Sequence, residues 1–189
     1  LALGRYRIVH LATHGFVASS PGTPERTVLY LGKSDAEDGI LETREILDLG
    51  LDADLVVLSA CGSAADHGLR GDGLGDLTRA FLYAGTSSVM ATLWAVEDAH
   101  AASLMDTFYA GVGRGEGTST ALREARLALL SGRSAARSSA RRGIGGVLEP
   151  DAEPPTRRRT RTRRARSSDP FFWAPFVLIG DAGDILDAR

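Results

Sequence analysis

The sequence predicts an α/β fold with a mostly parallel central sheet. Four short apolar runs have the length of strands, and the run at 55–58 has the composition of a strand buried on both faces. Segments with apolar residues at helical spacing separate these runs along the chain. Such an alternation of strands and helices is typical of a sheet that is covered by helices. The predicted strands are 6–12, 55–58, 88–94 and 176–179.

Capping residues and glycines set the expected ends of the helices. The predicted helices are 43–49, capped at Thr43 and stopped by Gly50; 74–84, stopped by Gly85; one capped by Asp98; and one capped by Thr118 or Ser119. Before the first helix, two short apolar pieces at 28–31 and 40–41 flank a polar segment with an Asp-Gly turn dipeptide. We expect these two pieces to form a small hairpin at the sheet edge.

Composition favours a single globular domain without a structural zinc site. The chain has 189 residues and a formal net charge of −2, which predicts no general attraction to nucleic acid or membranes. Its single cysteine excludes an internal disulfide, and with four histidines it disfavours a structural zinc site. No apolar run approaches the length of a membrane helix. A reducing, cytoplasmic environment fits this cysteine content.

The chain is expected to be a fragment with one insertion. It begins at Leu1 inside an apparent element and without a methionine, so we expect an N-terminally truncated domain over 1–189. The stretch 132–168 is rich in arginine, serine and proline and carries too little apolar surface to offset the entropy lost on ordering. It is predicted to be a disordered insertion. Nucleic-acid binding by its arginines is the less favoured reading, because no aromatic residue is interleaved for base stacking.

Two residues that follow predicted strands suggest nucleophilic catalysis. Cys61 comes three residues after the strand 55–58, and His14 comes shortly after the first strand. If these strands are neighbours, the thiol and the imidazole meet at the carboxyl edge of the sheet, where ligands bind in open α/β folds. Such a pair is typical of an activated cysteine nucleophile. The backbone N–H groups of Gly15 and Cys61 are candidates for an oxyanion hole.

The other polar candidates have simpler interpretations. His10 lies within an apolar strand and is interpreted as a core or sheet histidine rather than a catalytic one. His67 and His100 are expected to be solvated, on a loop and at a helix start. Asp98 is either the cap of a helix or a carboxylate that grips a basic substrate side chain at the end of a third strand. The pattern alone does not separate these two interpretations of Asp98.

Several ordered motifs together resemble the CHAT family of caspase-like domains, which are often found with TPR repeats and are related to separase. The motifs are HLATHG at 10–15, LSAC at 58–61, GLGDLTRAFLYAG at 73–85, LWAVED at 93–98 and FWAPFVLIGD at 172–181. The resemblance implies a caspase-like three-layer sandwich and a cysteine endopeptidase that needs no cofactor. It implies His14 as general base, Cys61 as nucleophile and Gly15 in the oxyanion hole. It also implies that Asp98 lines a pocket for arginine or lysine.

The same resemblance implies protein substrates, and N-terminal TPR or other regulatory domains, as partners, with no membrane. This chain departs from the family pattern in two motifs; in addition, the arginine-rich insertion interrupts the region before the final strand, and the strands expected before Tyr6 are missing. Gly62-Ser63 follows the cysteine where Glu-Thr or Gln-Thr is usual, and Asp169-Pro170 replaces a His-Pro. None of these departures removes the dyad, but together they leave an alternative open, a catalytically weak or inactive module that signals by docking.

Overall fold

A four-stranded sheet lies at the centre of the computed structural model, which describes residues 3–18, 26–35, 37–59, 71–132, 169–181 and 183. Its strand order is β1-β5-β6-β7, with β1, β5 and β6 parallel and β7 antiparallel to β6. This confirms the predicted α/β fold with a mostly parallel sheet. In chain order the elements are β1 (Ile8–Leu11), β2 (Gly15–Ala18), β3 (Arg26–Tyr30), β4 (Ile40–Glu42), α1 (Thr43–Leu47), β5 (Leu55–Leu58), α2 (Gly71–Tyr83), β6 (Ser88–Thr92), α3 (Asp98–Val112), α4 (Thr118–Leu130), α5 (Pro170–Trp173) and β7 (Phe176–Gly180).

Helices cover both faces of this sheet, so the molecule has three layers. All four residues of β5 are buried. Val56 and Leu58 belong to the core formed with α1 and α2, whereas Leu55 and Val57 belong to the core formed with α3 and α4. The alternation of side chains along a strand explains this division, because successive residues point to opposite faces. The unbroken apolar run of β5 is therefore required by packing on two sides.

A second, antiparallel sheet of three strands lies beside the first, in the order β2-β3-β4. The predicted hairpin corresponds to β3 and β4, which pair antiparallel through Tyr30 and Ile40. The sequence did not predict β2, which pairs with β3 and begins at Gly15. Leu29 and Leu41 of this sheet are buried in the core with α1 and α2. The antiparallel sheet thus packs on that side of the molecule.

Three helices begin one residue earlier than the predicted caps would place them. The N-cap residues are Glu42, Glu97 and Gly117, so the predicted caps Thr43, Asp98 and Thr118 are the first helical residues. For α1 the reason is a capping box, in which Glu42 and Glu45 satisfy each other's backbone N–H groups. That reciprocal pair replaces the expected hydroxyl cap.

Gly85 ends the α2 region at a point where two backbone segments meet. Its φ is +111°, and a Cβ atom there would lie 2.2 Å from the carbonyl oxygen of Leu51. The N–H of Leu51 donates to the carbonyl of Ala84 at 2.7 Å, which holds the two segments together. Only glycine combines this φ with such a close approach. The predicted stop at Gly85 is confirmed.

No helix among the described residues is long and apolar enough to cross a membrane. The predicted disordered insertion at 132–168 lies outside the described residues, apart from Gly132.

Candidate active site

The strands that precede the candidate dyad are direct neighbours. β1 and β5 pair in parallel, with Leu11 opposite Leu58 at their carboxyl ends. Beyond the last pair, the N–H of Ser59 donates to the carbonyl of Leu11 at 3.1 Å. At the amino ends, Nε of Arg7 lies 2.6 Å from a carboxylate oxygen of Asp54. The condition set by the sequence analysis, that these two strands are neighbours, is therefore met, and their carboxyl ends share one edge of the sheet.

His14 lies in the short connection between β1 and β2, at this edge. The N–H of Tyr30 donates to the carbonyl of His14 at 2.8 Å, and the hydroxyl of Thr13 donates to the carbonyl of Tyr30. The backbone around His14 is therefore fixed by β3. The imidazole is exposed and makes no hydrogen bond with any residue that the structure describes. Gly15, the candidate oxyanion donor, is buried at the start of β2 opposite Leu29.

Cys61 lies outside the described residues, as does His67. The last described residue before the cysteine is Ser59, which is half-buried and hydrogen-bonded to β1 as given above. The distance between the thiol and the imidazole is therefore a prediction that follows from the adjacency of β1 and β5. The same holds for the oxyanion role assigned to the Cys61 backbone.

Asp98 is exposed and is the first residue of α3, after β6 and a short loop. The interpretation of Asp98 as the helix cap is wrong, because Glu97 occupies the cap position and Asp98 is the first helical residue. Its carboxylate lies in the first turn, where the helix dipole favours negative charge. Since β6 neighbours β5, the chain leaves β6 at the same edge as it leaves β1 and β5. The alternative role, in which Asp98 receives a basic side chain, remains a prediction.

The prediction that His100 is solvated is also wrong. Its side chain is only 17% exposed and its Nδ1 lies 3.2 Å from the carboxylate of Glu97. The ring stacks on Phe172 of α5, with centroids 3.9 Å apart and an interplanar angle of 17°. The sequence did not indicate this contact, because Phe172 is 72 positions away along the chain.

Sequence reasoning missed a hydrogen-bonded chain of three side chains near the carboxyl ends of β1 and β5. Nε2 of His10 lies 2.7 Å from Oγ of Ser59, and Nδ1 of the same ring lies 2.9 Å from the hydroxyl of Tyr109 on α3. His10 is indeed a strand residue, but it is exposed rather than part of the core. Burial of part of the ring lowers the pKa of His10, and burial raises the pKa of Tyr109 to about 12. Both groups are therefore neutral at pH 7.

One of these contacts, between His10 and Ser59, could have been predicted from the sequence pattern. In the parallel pair, His10 lies opposite Val57, and Ser59 follows two residues later on the same face. The period of two therefore predicts that His10 and Ser59 are close. Tyr109 could not be placed this way, since its position depends on how α3 packs across the sheet.

The described residues contain no group of three or more histidine, aspartate or glutamate side chains that could hold a metal ion. The chemistry that this part of the chain can offer is acid–base chemistry by histidine, with hydroxyl and carboxylate groups at the same sheet edge.

Comparison with known proteins identifies related sequences. A family model described as the CHAT domain matches residues 1–181. The Tetratricopeptide repeat protein 28 of Mus musculus is 40% identical over 86 residues, which cover 46% of this chain and 4% of that protein. The protein of the same name from Homo sapiens is 30% identical over 155 residues, which cover 66% of this chain and 6% of that protein. The chain thus corresponds to a small part of these relatives.

The family match extends over β1 to β7 and includes every element described above, together with all candidate site residues. On this evidence the chain belongs to the CHAT domain family.

Proposed function

We propose that this domain is a cysteine endopeptidase in which His14 is the general base and Cys61 is the nucleophile. The observation that carries the proposal is the parallel pairing of β1 with β5, with the Ser59 N–H bonded to the Leu11 carbonyl. This pairing brings the segment with His14 and the segment with Cys61 out of the sheet at one edge. Membership of the CHAT domain family supports a caspase-like module of this kind.

The proposed reaction proceeds through an acyl-enzyme. The imidazole of His14 takes the proton of the Cys61 thiol, and the thiolate attacks the carbonyl carbon of the scissile peptide bond. A C–S bond forms and the carbonyl electron pair moves to oxygen, where the N–H groups of Gly15 and Cys61 stabilise the negative charge. The C–N bond then breaks, and the imidazolium gives its proton to the leaving amine.

Water completes the cycle. The neutral imidazole of His14 removes a proton from a water molecule, whose oxygen attacks the thioester carbonyl. A C–O bond forms, the C–S bond breaks, and the imidazolium returns its proton to the sulfur of Cys61. The products are a carboxylic acid and an amine, and the reaction needs no metal or redox partner.

The proposal is tested by the rate at which iodoacetamide alkylates Cys61 as a function of pH. The chain has one cysteine, so incorporation reports a single thiol. An ordinary cysteine titrates at about pH 8.5, whereas a thiolate paired with an imidazolium persists below about pH 7. We expect rapid alkylation at pH 6 to 7 in the parent chain, at least about tenfold above a reference thiol, and its loss in His14→Ala.

His67→Ala is the matched control and is expected to label like the parent chain, since His67 is predicted to lie in a polar loop. Circular dichroism verifies that each variant is folded. A folded parent chain whose Cys61 labels only as an ordinary thiol would contradict the peptidase proposal. That result would favour the alternative of a catalytically inactive module that acts by docking.

We further propose that Asp98 selects substrates with arginine or lysine before the scissile bond. Its carboxylate is exposed at the sheet edge described above and is available to a cationic side chain. Asp98→Asn is expected to lower kcat/KM for arginyl peptides by about 10- to 100-fold, because a charge-assisted hydrogen bond is lost. Fluorogenic peptides that differ only at this position measure the effect.

Asp106→Asn serves as the control, because Asp106 is also exposed on α3. It is expected to cleave arginyl peptides as the parent chain does. Equal losses for arginyl and alanyl peptides in Asp98→Asn would exclude Asp98 as the specificity residue.

The partners in this proposal are protein substrates and regulatory domains of a longer protein. The relatives are named as tetratricopeptide repeat proteins, and the matched region covers only 4% and 6% of their lengths. We therefore propose TPR or other regulatory repeats as the domains with which this module works.

A further inference from the structure

A chain of hydrogen bonds connects the carboxyl end of β5 to α3 across the first strand. The hydroxyl of Tyr109 lies 2.9 Å from Nδ1 of His10, and Nε2 of His10 lies 2.7 Å from Oγ of Ser59. The rings of His10 and Tyr109 are tilted by 37° with centroids 5.8 Å apart, so they are in contact as well. Three separate elements, α3, β1 and the end of β5, are joined by these side chains.

The protonation states of His10 and Tyr109 provide one donor and one acceptor for each of the two hydrogen bonds. Partial burial lowers the pKa of His10 and raises the pKa of Tyr109 to about 12, so His10 is neutral and Tyr109 is protonated at pH 7. A neutral imidazole has one donor and one acceptor nitrogen, so the protons run in one direction along the chain. In either direction each of the two links has one donor and one acceptor.

Avoiding unpaired buried groups does not explain this arrangement. None of the three residues is fully buried, since His10 is exposed and Ser59 and Tyr109 are half-buried. Solvated polar groups need no protein partner. The geometry instead fixes Ser59 twice, through its N–H to the Leu11 carbonyl and through its hydroxyl to His10. Ser59 precedes Cys61 by two positions.

We propose that the Tyr109–His10–Ser59 chain positions the carboxyl end of β5, and with it Cys61, for attack on the substrate. This inference rests on the proposed function above. His10, Ser59 and Tyr109 are positioning residues, since each acts on the nucleophile through the backbone of β5. Because α3 supplies Tyr109, this series of hydrogen bonds also makes the position of the nucleophile depend on α3.

The inference is tested with Tyr109→Phe and Ser59→Ala, each of which removes one hydroxyl from the chain. In Tyr109→Phe we expect the amide of Ser59 to exchange its hydrogen about fivefold faster, because the segment it belongs to is less restrained. In both variants the plateau rate of Cys61 alkylation is expected to fall about tenfold, since misplacement of a reacting group is costly. The pH midpoint of alkylation stays unchanged, because His14 is untouched.

Tyr83→Phe is the matched control, because Tyr83 is 82% exposed on α2. Ser59→Thr keeps the hydroxyl and is expected to restore the parent rate. A parent thiol that is activated and stays equally reactive in Tyr109→Phe and Ser59→Ala would overturn the positioning role and leave the peptidase proposal standing. A decrease in rate that only follows the loss of folded protein would overturn it too.

An ordinary thiol in the parent chain would instead contradict the peptidase proposal. In that case, hydrogen exchange at the Ser59 amide still tests whether the hydrogen bonds restrain the end of β5. An unchanged exchange rate in Tyr109→Phe would show that they do not.

Discussion

The His14→Ala variant is expected to hydrolyse an arginyl peptide amide at least about 10³-fold more slowly than the parent chain. Without the imidazole, no group takes the thiol proton or returns a proton to the leaving amine. The backbone that carries His14 is held by Tyr30 and needs no support from the ring, so the variant is expected to fold normally. Initial rates with a fluorogenic substrate measure the loss.

The double variant His14→Ala/Cys61→Ala sharpens this prediction. Two residues that act as one unit give non-additive losses, so the double variant should lie within about threefold of Cys61→Ala alone. Losses that multiply in the double variant would show that the two side chains act independently and would contradict the dyad.

The second large effect is expected for stability. Gly85→Ala should lower the free energy of unfolding by at least about 3 kcal/mol, because it adds backbone strain and a clash that side-chain motion cannot relieve. The added Cβ would lie 2.2 Å from the carbonyl oxygen of Leu51, at a φ of +111°. Relief requires parting the backbone contact that joins Leu51 to Ala84. Urea unfolding followed by circular dichroism measures the change.

Gly50→Ala separates the two contributions to this effect. Gly50 also has a positive φ, +53°, but nothing lies within 4 Å of the position of its Cβ. Its substitution is expected to cost only about 1 kcal/mol, the penalty of the left-handed backbone alone. Equal costs at the two glycines would mean that the contact with Leu51 yields easily.

The central sheet could be predicted from the sequence because strands packed on both faces need apolar residues, and such residues form recognisable runs. β5 must be apolar at every position because it contributes to two cores, and its four consecutive aliphatic residues therefore indicate a buried strand. The sequence of β2 contains no comparable apolar run. This strand begins at Gly15, and it forms because it pairs with β3. The starts of α1, α3 and α4 differed by one residue from the prediction, because the residue before each predicted cap takes the cap position, as Glu97 does before α3.

For the candidate site, the adjacency of two strands was predictable and the contacts across layers were not. The hypothesis of a dyad required β1 and β5 to be neighbours, and the structure shows that they pair in parallel. Tyr109 and Phe172 reach His10 and His100 only through the docking of α3 and α5. Such contacts depend on where a helix crosses, and no local periodicity encodes that.

The uniform burial of β5 has a consequence for how reliably the chain finds its native pairing. In a strand with one wet face, a shift by one residue exposes apolar side chains and is strongly disfavoured. In β5 the same shift would exchange aliphatic residues between two apolar cores, so the pattern itself barely opposes a misaligned fold. Depending on its direction, such a shift would draw one of the two flanking polar residues, Asp54 or Ser59, into the strand, and both would lose their partners Arg7 and His10. These two polar pairs therefore secure the fidelity of pairing at both ends of the strand, a role that measurements of native stability alone would understate.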